Sequence, residues 1–342
     1  MSKVYRVEQD KGQAVELRQA VAELISVLLS VLLISMGVAS AKAQVYPTRS
    51  IRLIVPAAPG GTTDVAARMI SEPLAKVFGQ AVVVENRPGS SGIIAAMAVA
   101  SAPPDGYTLL MQYSGYHTIT PLVIENLTWD PVKDFVPIAN VLTAPQLIVV
   151  RVDLPIHSLT ELVAYAKENP GKLNYATPGA GSLGYLTGEL LKQRTGIEMT
   201  QVPYKGMAPA IIDLLNGTVD LTFSTASSMI GQLQAGKLRA LAVTGKTRLS
   251  LFPDVPTVDE VGFQVLDAPV WFAVFGPKST PKIIVTKLGA EIANVMKTED
   301  FKRKAAEQGA ESDYKNSAEL AGLVQFDLSR WAQVIKAGKI KQ

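Results

Sequence analysis

Two short glycine-rich turns carry the residues in this chain best placed to do chemistry. The first is Pro56-Ala57-Ala58-Pro59-Gly60-Gly61-Thr62-Thr63-Asp64, following an apolar run that ends at Val55; the second is Thr177-Pro178-Gly179-Ala180-Gly181-Ser182, following a run that ends near Ala176. Each feeds a helical pattern, and a helix N-terminus offers unpaired amides and the positive end of the dipole to an anion. Glycine lets the backbone adopt positive φ and lets a ligand approach those amides closely. Thr62 and Ser182 can cap their helices or donate to a ligand, and Asp64 can cap and can pair with Arg68 four residues on. Capping alone is the competing role for each of these side chains.

Other chemistries are suggested by single motifs and then fail. Gly179-Ala180-Gly181-Ser182-Leu183-Gly184 matches the GxGxxG of dinucleotide sites, which also needs an acid at the end of the next strand to hold the ribose. That strand falls in Met199–Lys205, where no acid closes it, and Glu198 stands at its beginning. Gly245-Lys246-Thr247 ends a P-loop-like stretch, but Ala240 occupies the first glycine position and Pro253 cuts short any helix. Ala180–Gly184 is one residue from a GxSxG elbow, yet both histidines, His117 and His157, precede Ser182. Those histidines are far apart and there is no cysteine, so disulfides, thiolate chemistry and a histidine-rich metal site are not expected. No cofactor is expected.

These turns are set in an alternation of short apolar runs and helical patterns, which implies α/β architecture with parallel strands. The runs are Ile51–Val55, Ala81–Val84, Tyr107–Met111, Leu147–Val150, Leu173–Ala176, Leu221–Phe223, Leu238–Val243 and Val270–Phe275. Several are apolar throughout, as strands buried on both faces are. Ala66, Met69, Ile70, Leu74 and Val77 form one helical stripe, and Leu183, Leu186, Leu190 and Leu191 another. Gly79 and Gly196 are placed to end these helices, and Pro73 is expected to kink the first.

The N-terminal segment bears on the compartment. Leu24–Val38 is an uncharged apolar run, too short for an ordinary span and suited to a signal-peptide core, and Ala41-Lys42-Ala43 supplies an A-x-A site. Residues 1–43 are thus expected to be a signal peptide cleaved after Ala43, for a periplasmic protein. The four basic and four acidic residues before the core fit an n-region poorly, and a misassigned start codon or a retained anchor would explain them. The whole chain has 33 Lys/Arg and 30 Asp/Glu; the first 43 residues hold five and four, leaving 28 and 26. Such balance gives no footprint for nucleic acid. A mature chain of this length can build two domains with real cores.

The loops and their surroundings resemble a known family. Tyr46-Pro47, Ile51–Pro56, Pro59-Gly60-Gly61 with Asp64 and Arg68, and Val83–Gly89 are similar to the Bug-type receptors of tripartite tricarboxylate transporters (TctC family). So are Pro104–Leu109, Val202–Gly206, Gly236–Val243 and Phe252–Thr257, in the same order along the chain. The resemblance implies a type II periplasmic binding protein, two α/β lobes joined by two crossovers, with a small carboxylate in the cleft between them. It implies a monomer that hands its solute to membrane transporter subunits; a sensor feeding a signalling partner is the alternative, and an enzyme the third. Lobe 1 is expected to comprise 44–146 and 268–342, and lobe 2 to comprise 147–267, with Leu147–Val150 and the segment before Trp271 as crossovers.

In similar receptors the carboxylate lies between the two loops, held by amides, hydroxyls and water. That points to Gly60, Gly61, Thr62 and Asp64 from one lobe and Thr177, Ala180, Gly181 and Ser182 from the other. Ser114 and Tyr204 are further candidates for the wall. The chain departs from the family at two places. Many members carry an aspartate after the Phe of V-D-x-x-F, whereas Val219-Asp220-Leu221-Thr222-Phe223 is followed by Ser224, and Tyr185 stands where relatives often have histidine. Without that carboxylate a buried ammonium lacks a partner, so a plain mono- or dicarboxylic acid, aromatic acids included, is expected over an amino acid. The alternatives are that Ser224 faces away or that Asp220 or Asp267 substitutes.

Overall fold

In a computed structural model the described residues are 24–26, 46–266, 268–338 and 340. The expected cleavage site after Ala43, most of the expected signal segment, and Asp267 lie outside them. Pro47–Gln342 is one compact unit. Among the described residues no helix is long and apolar enough to cross a membrane.

Two mixed sheets organise the chain. The first is built from β1 (Ile51–Val55), β2 (Val82–Asn86), β3 (Thr108–Tyr113), β4 (Phe135–Ala144), β10 (Val270–Pro277) and β11 (Glu311–Lys315), in the order β11-β4-β10-β3-β1-β2. The second is built from β5 (Gln146–Arg151), β6 (Leu173–Thr177), β7 (Met199–Pro203), β8 (Leu221–Thr225) and β9 (Leu238–Val243), in the order β7-β6-β8-β5-β9. This is the two-lobed type II binding-protein architecture. The helices are α1 (Thr62–Phe78), α2 (Ile93–Ala100), α3 (Thr120–Val123), α4 (Leu159–Glu168), α5 (Leu183–Thr195), α6 (Met207–Leu215), α7 (Ile230–Gln234), α8 (Lys282–Met296), α9 (Glu299–Glu307) and α10 (Ser317–Gly338).

Parallel pairing holds where βα units repeat: β1 with β2 and β3, and β6 with β7 and β8. Each sheet also takes in one antiparallel strand that arrives directly from the other lobe. β5 lies between β8 and β9, and β10 lies between β3 and β4. Leu147–Val150, expected as a crossover, is therefore the middle of the second sheet. The passage between sheets is the single residue Pro145, which has no N–H to continue a ladder. The return passage is residues 244–269. Gln146 and Thr244 clamp the two passages together: the Gln146 amide donates to Thr244 Oγ1 at 2.9 Å, and the Thr244 amide donates to the Gln146 carbonyl at 2.8 Å.

Burial explains why some strands show in the sequence and others do not. β5, β8 and β10 are almost wholly buried; the apolar runs of β5 and β10 require it, and β8 buries Thr222, Ser224 and Thr225 as well. β4 was not expected because Pro137, Asn140 and Thr143 interrupt it. β11 pairs only with the Asn140–Thr143 end, where Asn140 and Thr143 bond Asp313, and Pro137 lies opposite Phe275 of β10 beside a register shift. β11 itself is a polar edge strand with little to bury. Gly79 and Gly196 close α1 and α5 in left-handed conformation, φ 64° and 71°, as expected. α1 runs unbroken from Thr62 to Phe78 through Pro73.

The core of the first lobe surrounds His117, in a π-type helical turn over Gly115–Ile119 that continues into α3. Its ring stacks 4.1 Å from Phe275 and meets Phe135, Trp129 and Trp271 edge-on or offset. Nε2 lies 3.0 Å from the Pro131 carbonyl, which can only accept, so Nε2 carries the proton of a neutral ring. Burial depresses the imidazole from its usual 6.5 to about 3, against the opposing effect of the Pro131 bond. This histidine packs; it does no acid–base chemistry. His157 is exposed, its backbone amide held by Glu161.

A pH dependence follows. Between 6.5 and about 3 the unfolded chain binds a proton that the folded chain excludes, so stability is lost as pH falls through this window. Urea denaturation should show a loss of roughly 2 kcal/mol from this group between pH 6.5 and pH 5. In His117→Phe the slope over that interval should flatten; an unchanged slope would place the proton elsewhere.

Candidate ligand cleft

The first glycine turn is a rigid assembly built on Asp64. Its Oδ2 accepts from the Gly60 amide at 2.9 Å and from Arg68 Nε at 2.9 Å, and its Oδ1 accepts from Asn86 Nδ2 at 2.9 Å. The same Asn86 nitrogen also donates to the Ala57 carbonyl. Burial alone would raise this carboxyl, but hydrogen bonds from Arg68, Gly60 and Asn86 outweigh it and hold it below the usual range. Gly60 takes φ 79°, and the Gly61 amide closes the turn onto the Ala58 carbonyl at 3.0 Å. Asp64, Gly60 and Gly61 thus position the start of α1 from behind. It is Thr62 and Thr63, in the first turn of α1, that face the cleft.

The second turn is arranged in the same way. Ser182 caps α5, its Oγ accepting from the Tyr185 amide at 3.1 Å. Thr177 Oγ1 accepts from the Gly179 amide and from Gln201 Nε2. Thr177, Ala180, Gly181 and Ser182 lie beneath the surface they shape, and the wall is Pro178, Leu183 and Gly184. Gly184 packs so tightly on β8 that a Cβ there would come 2.4 Å from the Phe223 carbonyl oxygen. The GxGxxG glycines are filled by the protein's own atoms and leave no cradle for a pyrophosphate. Gly245-Lys246-Thr247 lies in an irregular turn with no following helix.

A third helix start completes the set. Gly206, at φ 112°, precedes α6, and Gly206 and Met207 line the same cleft. This is again a strand, a glycine and a helix, legible in Met199–Met207 but not singled out above. The amino ends of α1, α5 and α6 therefore converge on one cleft. Much of the rest of its wall is apolar and aromatic, with Tyr113 and Tyr116 meeting edge-on at 4.6 Å, Phe272 6.3 Å from Tyr113, and Phe223 and Val270 beside them, while Gln146, Ser224 and Thr225 add polar groups. Among the described residues no charged side chain lines it. The Tyr113 hydroxyl is buried without a hydrogen-bond partner, and burial pushes it well above its usual range, so it remains a donor.

The remaining expected residues divide. Ser224 is on the wall, beside Thr225. Ser114 is behind it: its Oγ lies 3.4 Å from the Trp271 amide and its carbonyl accepts from Thr118. Tyr204 turns away, its hydroxyl donating to Asp213 Oδ2 at 2.6 Å. Tyr185 is buried off the wall, and Asp220 binds Arg151 and the Asn174 amide. Among the described residues no cluster could hold a metal ion.

The lobes touch across the cleft through neutral groups. Tyr116 Oη donates to the Pro178 carbonyl at 2.5 Å, Thr225 Oγ1 to Thr62 Oγ1 at 3.1 Å, and Thr120 Oγ1 to the Gly181 carbonyl at 3.4 Å.

Two α/β lobes, two passages between them, and a cleft floored by helix amino ends define a solute-binding protein of the periplasmic type II class. Residues 66–340 match the profile described as "Tripartite tricarboxylate transporter family receptor", TctC, and the chain belongs to that family. It is similar to Protein BugT of Bordetella pertussis, 34% identical over 311 residues that cover 90% of this chain and 95% of BugT. Among solved structures it is similar to R. palustris Rpa4515 with adipate, 38% identical, TM-score 0.84, covering 86% of this chain and 99% of that one. It is also similar to MatC from Rhodopseudomonas palustris with bound malate, 34% identical, TM-score 0.82, covering 85% and 100%.

The lobe contact gives a test of the second turn. A Cβ on Gly181 would lie 1.8 Å from Thr120 Oγ1, so Gly181→Val should hold the lobes apart. Affinity for a bound organic acid should fall at least about tenfold, roughly 1.4 kcal/mol, with circular dichroism unchanged. Unaltered affinity would remove this turn from the closing surface.

Proposed function

We propose that this chain is an extracytoplasmic receptor that captures a small carboxylate between its lobes and delivers it to a tripartite tricarboxylate-type transporter. The observation that carries this reading is the convergence of three helix amino ends on a cleft that, among the described residues, no charged side chain lines. An anion fits there without a counter-charge, held by amides near Thr62, Leu183, Gly184 and Met207 and by the Tyr113 hydroxyl. Hydrogen bonds to a charged group contribute roughly 1.5 to 3 kcal/mol each, so three or four supply much of the roughly 8 kcal/mol of a micromolar complex. The adipate and malate complexes of the two similar structures support the ligand class. The receptor acts as a monomer in the periplasm after cleavage following Ala43, and binds without catalysing a reaction.

The lobes, expected as 44–146 with 268–342 and as 147–267 but with Gln146 on the side of the second lobe because it opens β5, move about Pro145 and the return passage as the cleft opens and closes. The positioning set is Gly60, Gly61, Asp64, Thr177, Ala180, Gly181 and Ser182; Thr62 and Ser224 face the solute. With serine at 224 and, among the described residues, no carboxylate on the wall, the site takes an organic mono- or dicarboxylic acid rather than an amino acid, and the aromatic wall accommodates an apolar or aromatic body.

A thermal-shift screen of organic acids followed by calorimetry tests this, since a ligand at 100 times its dissociation constant adds about 2.7 kcal/mol of stability. Succinate-like or aromatic acids are expected to bind with defined stoichiometry and aspartate and glutamate weakly; tight binding of an amino acid with its plain counterpart bound poorly would overturn the class. Small-angle scattering should show a smaller radius of gyration with saturating acid, and identical radii would count against lobe closure.

A further inference from the structure

We propose that Gln146 reads a hydroxyl group on the bound carboxylate, so that the receptor prefers a hydroxy acid to the same acid without the hydroxyl. This rests on the carboxylate-receptor reading above and adds to it the residue that selects among carboxylates.

Gln146 sits where the chain enters the second lobe, is 1% exposed, and lines the cleft. Its backbone is fixed by Thr244 on one side and, through the β5–β8 register, faces Thr225 on the other. The orientation of its side-chain amide is set by two neighbours. Thr187 Oγ1 donates its one proton to the Leu183 carbonyl at 2.9 Å, so toward Gln146 it can only accept, and Gln146 Nε2 lies 2.9 Å from it. The other neighbour of Nε2, the Ala268 carbonyl at 3.4 Å, is also only an acceptor. Both force the nitrogen inward. Oε1 is then left at the cleft wall beside Gly184, 3.7 Å from where a Cβ of that glycine would stand.

The result is a fixed acceptor in a site whose other fixed polar groups are donors, the amides of three helix starts. A carboxylate offers Oε1 nothing. An ammonium would donate to it, but as a buried cation with, among the described residues, no carboxylate on the wall. A hydroxyl supplies one neutral donor. A site that presents a fixed acceptor discriminates against an analogue lacking the donor, because the acceptor is then left unpaired.

Calorimetry on the mature chain with paired acids tests this: succinate against malate, propionate against lactate, phenylacetate against mandelate. In the pair whose skeleton fits, the hydroxy acid should bind at least about tenfold tighter, and Gln146→Leu should bring the two within about twofold. Thr187→Val touches no solute but removes the acceptor that holds Nε2 inward, so it should narrow the same ratio; if Gln146→Leu fails to fold, this variant decides. Plain acids bound as tightly as their hydroxy partners in the wild type, or a ratio unchanged in both variants, would overturn the assignment and leave the receptor reading intact. Absence of binding by every acid in every pair would instead overturn the receptor reading, and this one with it.

Discussion

The carboxylate site we propose depends on oriented backbone amides standing where a cation would stand elsewhere. An arginine can swing to meet its ligand; a helix amino end cannot. The start of each helix must therefore be placed by the turn before it. The first turn shows how this is achieved: Asp64 gathers the Gly60 amide, Arg68 and Asn86 onto one buried carboxylate, and the backbone has no freedom left. The second turn does the same with Ser182 and Thr177. The polar side chains most visible in the sequence are those that fix the amides in place.

This also accounts for the packing of the glycines. Gly181 lies against Thr120 of the other lobe and Gly184 against the Phe223 carbonyl, so the second turn is pinned on both sides by backbone contact that any side chain would break. The passages between lobes follow the same economy. One is a single proline, the other is joined to it by the reciprocal bonds of Gln146 and Thr244, and each delivers an antiparallel strand into the middle of the opposite sheet.

Much of this was legible in the sequence, and what was not has physical causes. The buried strands show as apolar runs, and the glycine turns show because only a few residue types fit their geometry. β4 did not show, because Pro137, Asn140 and Thr143 break its pattern, and its Asn140–Thr143 end pairs with an edge strand as polar as β11. Ser114 and Tyr204 were placed on the wall by type and position, yet their hydroxyls point to Trp271 and Asp213; a sequence gives the group but not its direction. Tyr113, Tyr116 and Phe272 line the cleft but have the composition of core residues, and nothing local distinguishes an aromatic ring that meets a solute from one that meets a neighbour.

The three bonds that join the lobes across the cleft, Tyr116 to Pro178, Thr225 to Thr62 and Thr120 to Gly181, involve no formal charge. Counter-ions screen charges and leave hydroxyl–carbonyl pairs almost untouched. A clasp made this way holds with the same strength in dilute and in concentrated salt, so a protein bathed in fluid of fluctuating ionic strength keeps one grip throughout.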